Sequence, residues 1–251
     1  MNMPEINYGN FRKRWLKKAT VYSFKNCTKI IPVAEALVRQ EYIYDKNISA
    51  RQGLLNLIPD LATPIQVIPN GFDTDFWKDK KEPKKSFSFI TVATGTARKN
   101  RAAVKGIDLV LLMANEFPHY QFTLIGDINV KSHLPNVLVK GKAGRKQLRD
   151  LFDQHQFYLQ LSASEGFPNA LAEAMLCGCI PIGSAVGAIP EIIGNAGFLL
   201  QHKDANKLKL IFDTLHLHDL DQLRHEASER IKENFGYGKR QKALIALFYG
   251  I

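Results

Sequence analysis

From Ser86 onward the chain alternates short β-rich runs with amphipathic ones, and this alternation restricts the possible folds more than any other feature of the sequence. The β-rich runs are SFSFITVA (86–93), QFTLIG (121–126), NVLVK (136–140), FYLQLS (157–162), CIPIG (179–183) and GFLL (197–200). Helical periodicity occupies IDLVLLMANEF (107–117), RKQLRDLFDQH (145–155), NALAEAMLC (169–177) and two closing stretches near 205–233 and 238–249. Strands that follow one another through helices must lie parallel, because each helix returns the chain to the same end of the sheet. The expected fold class is therefore α/β, a doubly wound, Rossmann-like parallel sheet. Such sheets bind ligands in the crevice at the carboxyl ends of their strands.

Residues 1 to 60 stand outside this alternation. They read as a basic helix (8–25), a short strand TKIIPV (28–33) and a second helix (34–44), followed by a turn-rich passage. One strand with two helices cannot close a core of its own. The first third is thus expected to be the tail of another domain. The run KDKKEPKK at 78–85 reads as a solvated linker.

With 251 residues and 45% apolar content, the chain can bury a sizeable core. The longest uncharged stretch, Ala174 to Pro190, contains Gly178, Pro181, Gly183 and Gly187, which argue against a membrane-spanning helix. The first residues lack the apolar core of a signal peptide, and the three cysteines suit a reducing compartment, so a cytoplasmic location is expected. The net charge of +10 raises the question of nucleic acid. Aromatic residues do not alternate with the basic ones as on a stacking platform, so no nucleic-acid partner is expected. A basic balance also suits a protein that handles a diphosphate or works beside an anionic membrane. Arg12, Lys13, Arg14, Lys17 and Lys18 of the first helix could make peripheral membrane contact, or could simply form a solvated face.

The richest chemical signal is ASEGFPNALAEAMLCGCIPIGSAVGAIPEII, which begins at Ala163. Glu165 falls on the loop after FYLQLS, Pro168 and Asn169 open the next helix, and Glu173 follows one turn inside it. A helix start offers backbone N–H groups and the positive end of a dipole, so the amides of Phe167, Pro168, Asn169, Ala170 and Leu171 form a candidate diphosphate cradle, Pro168 contributing shape alone. Two carboxylates beside a diphosphate repel it unless each accepts hydrogen bonds from hydroxyls of the same ligand. A nucleotide sugar carries both the phosphates and the hydroxyls. Taken singly, Glu165 and Glu173 would be ordinary surface carboxylates and Lys105 a solvated lysine. Only the joint pattern is informative.

Glu165 followed by Gly-Phe-Pro, and Glu173 eight positions on followed by Ala-Met, resembles the signature of family-4 retaining glycosyltransferases (group 1 glycosyltransferases) of GT-B architecture. Three further segments resemble that family in order and spacing: VIPNGFDTDFW (67–77), AVGAIPEII (185–193) and RIKENFGYGKRQKALIALF (230–248). The resemblance runs from about Tyr22 to the end of the chain. It implies a nucleotide-diphosphate sugar as donor and a saccharide or lipid-linked acceptor. It further implies that Glu173 bonds the ribose, that Glu165 approaches the donor sugar, and that Lys105 with Gly106 binds the diphosphate. The loop glycine is Gly95, but Thr96 follows it where the family usually has an arginine, so Arg98 or Arg101 must substitute. Gly141, Lys142 and Ala143 match the backbone that holds the base. The implied division is 1–66 as a remnant of the acceptor-binding domain, 67–85 as the connection, 86–235 as the donor-binding domain and 236–251 as a helix returning toward the first domain.

Asp73-Thr74-Asp75 has the Asp-x-Asp form that binds a metal in the other large glycosyltransferase architecture, but Asn70-Gly71 beside it signals a turn whose N–H groups the aspartates can cap. No metal or other cofactor is expected, since Lys105 and an arginine can neutralise the diphosphate. Two alternatives stand beside an incomplete transferase. One is a donor-binding subunit that docks on a separate acceptor domain or self-associates through apolar faces near Phe11, Trp15 and Leu16 and near Leu244 to Phe248. The other is a nucleotide-binding module without transfer activity, which the absence of a Gly-x-Gly-x-x-Gly turn after the first strand disfavours.

Overall fold

The computed structural model describes residues 11, 13–46, 52–96, 101–126 and 130–249. Six strands form one sheet: β1 (Lys85–Ala93), β2 (Gln121–Gly126), β3 (Val137–Gly141), β4 (His155–Gln160), β5 (Ile180–Ser184) and β6 (Phe198–Leu200). Their order is β3-β2-β1-β4-β5-β6, and every neighbouring pair is parallel. The doubly wound sheet expected from the alternation is the architecture observed. The helices are α1 (Arg14–Asn26), α2 (Leu54–Leu57), α3 (Arg101–Val104), α4 (Ile107–Glu116), α5 (Arg145–Gln154), α6 (Asn169–Leu176), α7 (Ile189–Ile193), α8 (Ala205–Thr214), α9 (Leu220–Phe235) and α10 (Tyr237–Tyr249).

Side-chain parity along the strands assigns the two faces of the sheet. Phe89 of β1 stands in register with Phe122 of β2 and Phe157 of β4, so the three rings share one face. They stack at centroid distances of 5.0 and 4.8 Å, and Phe212 of α8 closes over Phe89 at 4.7 Å. Alternate residues point the other way. There Tyr158 meets Phe152 of α5 edge-on at 5.7 Å, and Trp77 packs against Phe152 at 6.0 Å. Burial of these rings removes both faces of the sheet from water, which is the main stabilising contribution in such a fold.

The connection after residue 66 is a strap bound to the domain along its length. Phe72 donates its N–H to the Phe235 carbonyl and accepts from the Tyr237 N–H, each at 2.9 Å. Arg240 donates to the carbonyls of Ile68 and Pro69. The basic run at 78–85, read as a solvated linker, is corrected in part. Lys84 donates to the carbonyls of Phe152, Asp153 and Cys177, closing the C-terminal ends of α5 and α6. Asp79 is buried against Arg224. Burial alone would raise its carboxyl pKa, but hydrogen bonds from Arg224 and the Lys81 N–H hold it below the ordinary value.

Other expectations are corrected at the level of single elements. The strand at 28–33 is reduced to one parallel bridge between Ile30 and Ile65. Pro32 and Pro64 lack the N–H groups a longer ladder needs. The helix at 34–44 is a single 3₁₀ turn, Glu35–Leu37, because the backbone beyond it is engaged by residues 52–56: Leu55 donates to the Val38 carbonyl and Asn56 to that of Gln40. The segment 205–233 is two helices, separated by a 3₁₀ turn and restarted by Asp219, whose carboxylate accepts from the Gln222 N–H at 3.0 Å. The strand read as 157–162 begins two residues earlier and releases Leu161 and Ser162 to the following loop. Nor is the first third wholly foreign to the domain, since Ala34 and Tyr44 join its core and the Tyr44 carbonyl accepts from the Lys203 N–H. Helix α1, by contrast, contributes no buried residue.

His155 opens β4 with both ring nitrogens engaged, Nδ1 with the Leu151 carbonyl at 2.7 Å and Nε2 with Thr123 Oγ1 at 2.8 Å. A carbonyl can only accept, so Nδ1 carries the proton and Nε2 accepts from the threonine. Burial pushes the pKa from 6.5 to about 4, with Lys85 and Lys84 adding to the effect. Because the folded-state pKa is the lower one, the neutral ring's contribution is complete above about pH 6.5 and is lost as pH falls toward 4. The wild type's stability advantage over His155→Gln should therefore shrink by an amount on the order of 2–3 kcal/mol between pH 7 and 4. Denaturant titrations of both proteins across that window measure it; an advantage independent of pH would refute this account.

Candidate active site

In a sheet of this order, the connections leaving β1 and β4 run to opposite sides and open a crevice at the carboxyl ends of those two strands. Two loops meet there. The Ala163 N–H donates to the Val104 carbonyl at 2.8 Å, joining the loop after β4 to the end of α3. Gly106 brings the backbones closer still. Its φ is +71°, and a Cβ at this position would lie 2.1 Å from the Leu161 carbonyl oxygen. Lys105 is thereby placed against Glu165, with Nζ 2.5 Å from Oε1 and both side chains largely sheltered, 17% and 13% exposed. On the far side Gly187, at φ +56°, leaves no room for a Cβ, which would lie 2.2 Å from the Glu165 carbonyl oxygen.

Behind Glu165 runs a buried polar chain that the sequence reading did not single out. The Tyr158 hydroxyl donates to Gln160 Oε1 at 3.2 Å. Gln160 Nε2 donates to Ser162 Oγ at 2.8 Å and to Glu165 Oε1 at 3.2 Å, and Ser162 Oγ donates to Glu165 Oε1 at 3.0 Å. Ser184 in turn donates to the backbone carbonyls of Ser162 and Gln160. Burial, with the charge of Glu165 as a second cause, pushes the Tyr158 phenol far above its ordinary value and keeps it a donor. The signal was available in FYLQLS: polar residues at every second position of a central strand, where both faces must be buried, imply a polar network.

The sequence-derived candidates do not all gather in one place. Arg101 shares a pocket of about 180 Å³ with Lys105 and Glu165, and Gly95 faces it: a Cβ there would lie 3.3 Å from Arg101 Nε. Arg98 lies outside the described residues. Glu173 lines a different and larger cleft, of about 880 Å³, with Asn169, Arg145, Asp73, Phe72 and Arg240. Glu165 sits on the loop and Glu173 inside α6, and each lines its own cavity. Burial raises the Glu173 carboxyl pKa, against the opposing charge of Arg145.

The helix-start residues have other engagements as well. Phe167 stacks on Phe72 at 6.1 Å and meets Phe235 edge-on at 5.6 Å, anchoring the strap. Asn169 accepts from the Asn70 side chain at 2.8 Å. Pro168 is buried and Ala170 half-buried, while the Leu171 N–H is taken up by the Pro168 carbonyl at 3.1 Å. Lys142 is exposed beyond β3, and Ala143 packs against the core. Asp73 accepts from the Phe76 N–H at 3.0 Å and from Arg145 at 3.1 Å, and these two, in that order, lower its pKa. That is the turn-capping role read from its neighbours. Among the described residues no three or more His, Cys, Asp and Glu side chains gather as a metal site, and no helix is long and apolar enough to cross a membrane.

A family model described as "Glycosyl transferases group 1" matches residues 89–215. The chain belongs to the group 1 glycosyl transferases. This group 1 chain is 30% identical over 139 residues to an uncharacterized 41.2 kDa protein in the cps region of Klebsiella pneumoniae, covering 52% of the chain and 39% of that protein. In structure it is similar to sucrose-phosphate synthase from Thermosynechococcus elongatus, with a TM-score of 0.75 at 16% identity, covering 98% of the chain and 64% of the synthase. It is also similar to Anabaena HepE in complex with UDP-glucose, with a TM-score of 0.72 at 15% identity, covering 94% and 68%. These likenesses agree on the α/β architecture of GT-B glycosyltransferases. The group 1 chain spans about two-fifths of the length of the first curated relatives it matches.

The contact between the two loops makes a prediction about stability. Gly106→Ala should destabilise the protein by about 1–3 kcal/mol, from left-handed backbone strain and displacement of the Leu161 carbonyl. Gly238→Ala, in a helix with open space around the new methyl, should be neutral or stabilising by up to about 1 kcal/mol. Denaturant midpoints for the two variants check the contrast.

Proposed function

We propose that this group 1 glycosyl transferase binds a nucleoside-diphosphate sugar and transfers the sugar, with retention of configuration as in family 4, to a saccharide or lipid-linked acceptor. The observation that carries the reading is the Lys105–Glu165 pair at the crevice between β1 and β4, a cation and a carboxylate where a donor's diphosphate and sugar would adjoin. HepE, which shares the fold, is in complex with UDP-glucose, and this supports a nucleotide sugar as the ligand class.

On this reading the bond from the anomeric carbon to the diphosphate breaks as the acceptor oxygen bonds to the same face of the sugar. The acceptor's proton passes to the departing diphosphate oxygen. Lys105, with Arg101 beside it, would stabilise the negative charge that builds on the diphosphate, and this needs no metal. Glu165 would orient the donor sugar through its hydroxyls, and Glu173 would bond the ribose. Glu165 is engaged by Lys105, Gln160 and Ser162, which suits an orienting group better than a nucleophile.

Residues 86–235 would form the donor-binding domain, with 67–85 as its connection, 1–66 as part of an acceptor-binding region and 236–251 as a returning helix. One observation favours a second reading, a donor-binding subunit that docks on a separate acceptor domain. Helices α1 and α10 contribute no buried residue, and Trp15, Tyr22, Phe248 and Tyr249 are exposed on them.

Calorimetric titration with UDP-, GDP- and ADP-sugars tests the donor site. Lys105→Ala should weaken the best-bound nucleoside diphosphate by about 1.5–3 kcal/mol, and Glu173→Ala by about 1–3 kcal/mol through lost charge-assisted hydrogen bonds. Donor affinity unchanged in a folded Glu173→Ala protein would remove that residue from the site.

A further inference from the structure

We infer that Gln160, held by Tyr158 and acting with Ser162, is a positioning residue that orients the Glu165 carboxylate toward the sugar of the bound donor. The inference rests on the donor-site reading above and assigns work to residues which that reading leaves unexplained.

The geometry is directional. Tyr158, Gln160 and Ser162 are two residues apart along β4 and its continuation, so their side chains share one face and form a row running toward the carboxyl end of the strand. Each link has one permitted sense. The Glu165 carboxylate, held by Lys105, accepts, so the end of the Gln160 amide that faces it is the NH₂, and the phenol donates to the amide oxygen. That NH₂ then donates forward to Ser162 Oγ and to Glu165 Oε1. Ser162, having accepted, donates its own proton to the same carboxylate oxygen. Lys105 Nζ is the third donor to Oε1. Convergence of three donors on Oε1 restrains the carboxylate, and Oε2 is the oxygen this inference assigns to the ligand as hydrogen-bond acceptor.

Burial shows that this row is built for a purpose. Tyr158, Ser162 and Ser184 are fully buried and Gln160 nearly so. Apolar residues at these positions of β4, its continuation and β5 would avoid the desolvation that four polar side chains incur. Such a network rigidifies only if every member is satisfied, and here each donor has a named acceptor. The strand thus carries a rigid polar row from the interior of the domain to the Glu165 carboxylate in the β1–β4 crevice.

The arrangement also separates two tasks. Lys105 reaches Glu165 from the turn after α3 and is the group a diphosphate would compete for. Gln160 and Ser162 approach from beneath, on a strand that packing immobilises. When a diphosphate draws the lysine away, the amide and the hydroxyl remain, and Glu165 keeps its orientation. The row should therefore affect recognition of the sugar and leave recognition of the diphosphate alone.

The test compares, by calorimetry, the affinity for a nucleoside diphosphate with that for the matching nucleoside-diphosphate sugar, using the pair that the wild type binds best. Gln160→Leu removes the donor and the acceptor while keeping an apolar volume; Ser162→Ala removes one hydroxyl and serves if Gln160→Leu fails to fold. The expected result is diphosphate affinity within about twofold of wild type and a loss of about tenfold for the sugar nucleotide, which converts to about 1.4 kcal/mol. Combining Gln160→Leu with Glu165→Gln should add little beyond Glu165→Gln alone, because both act through one carboxylate. A folded Gln160→Leu or Ser162→Ala protein that retains the wild-type preference for the sugar nucleotide overturns the positioning role. Equal losses for both ligands overturn it too, since they would indicate general damage. A wild type that binds neither ligand overturns the donor-site reading itself, which separates the two failures.

Discussion

The close approach of two loops at the carboxyl ends of β1 and β4 underlies everything at this site. Lys105 and Glu165 are 60 residues apart in sequence, and no local preference brings them together. They meet because the sheet order makes β1 and β4 neighbours and because Gly106 lets one backbone pass within contact distance of the other at Leu161. The N–H of Ala163 then closes on the Val104 carbonyl. An ion pair sheltered on both sides gains little from being formed, since desolvation of two charges offsets most of their attraction. Its value lies in presenting a cation and a carboxylate in fixed relation, at a cost that the packed loops beneath absorb.

Hydrophobic burial supplies the rigidity this requires. The rings of Phe89, Phe122 and Phe157 tie three adjacent strands and α8 into one unit on one face of the sheet. Tyr158, Phe152 and Trp77 do the same on the other and draw in the strap that precedes β1. The strap is held again at Phe72, which bonds the junction of α9 and α10 through its backbone and stacks on Phe167 through its ring. Phe167 therefore connects the loop bearing Glu165 to the segment leading into the domain. A displacement at either end would be felt at the other, since packed rings do not deform continuously.

Three buried polar groups inside the domain each have a partner suited to their protonation state. His155 is held neutral between a carbonyl and a hydroxyl, Asp79 ionised against Arg224, and Tyr158 protonated as donor to Gln160. Lys84, in a stretch that looks like a solvated linker, closes two helix ends by donating to three carbonyls. Charge on a sequence thus says little about exposure. The location of the unsatisfied acceptors decides it.

By itself the sequence determined the α/β class, all six strands to within two residues, and the segment from Ala163 that carries the candidate site. These were legible because they rest on local periodicity and on residue types whose backbone needs are local. Three matters were settled only by tertiary structure. Residues 34–44 lost their helix because Leu55 and Asn56 claim the carbonyls of Val38 and Gln40, a competition invisible to any short window. The carboxylates of Glu165 and Glu173, eight positions apart, line two cavities, one carried on a loop and the other inside α6. The row from Tyr158 to Ser162 acquired meaning only when burial of both faces of β4 brought its polar groups onto one another and onto Glu165. Periodicity records what each residue prefers of its neighbours in sequence, whereas the backbone that fills a donor's need comes from wherever the fold brings it.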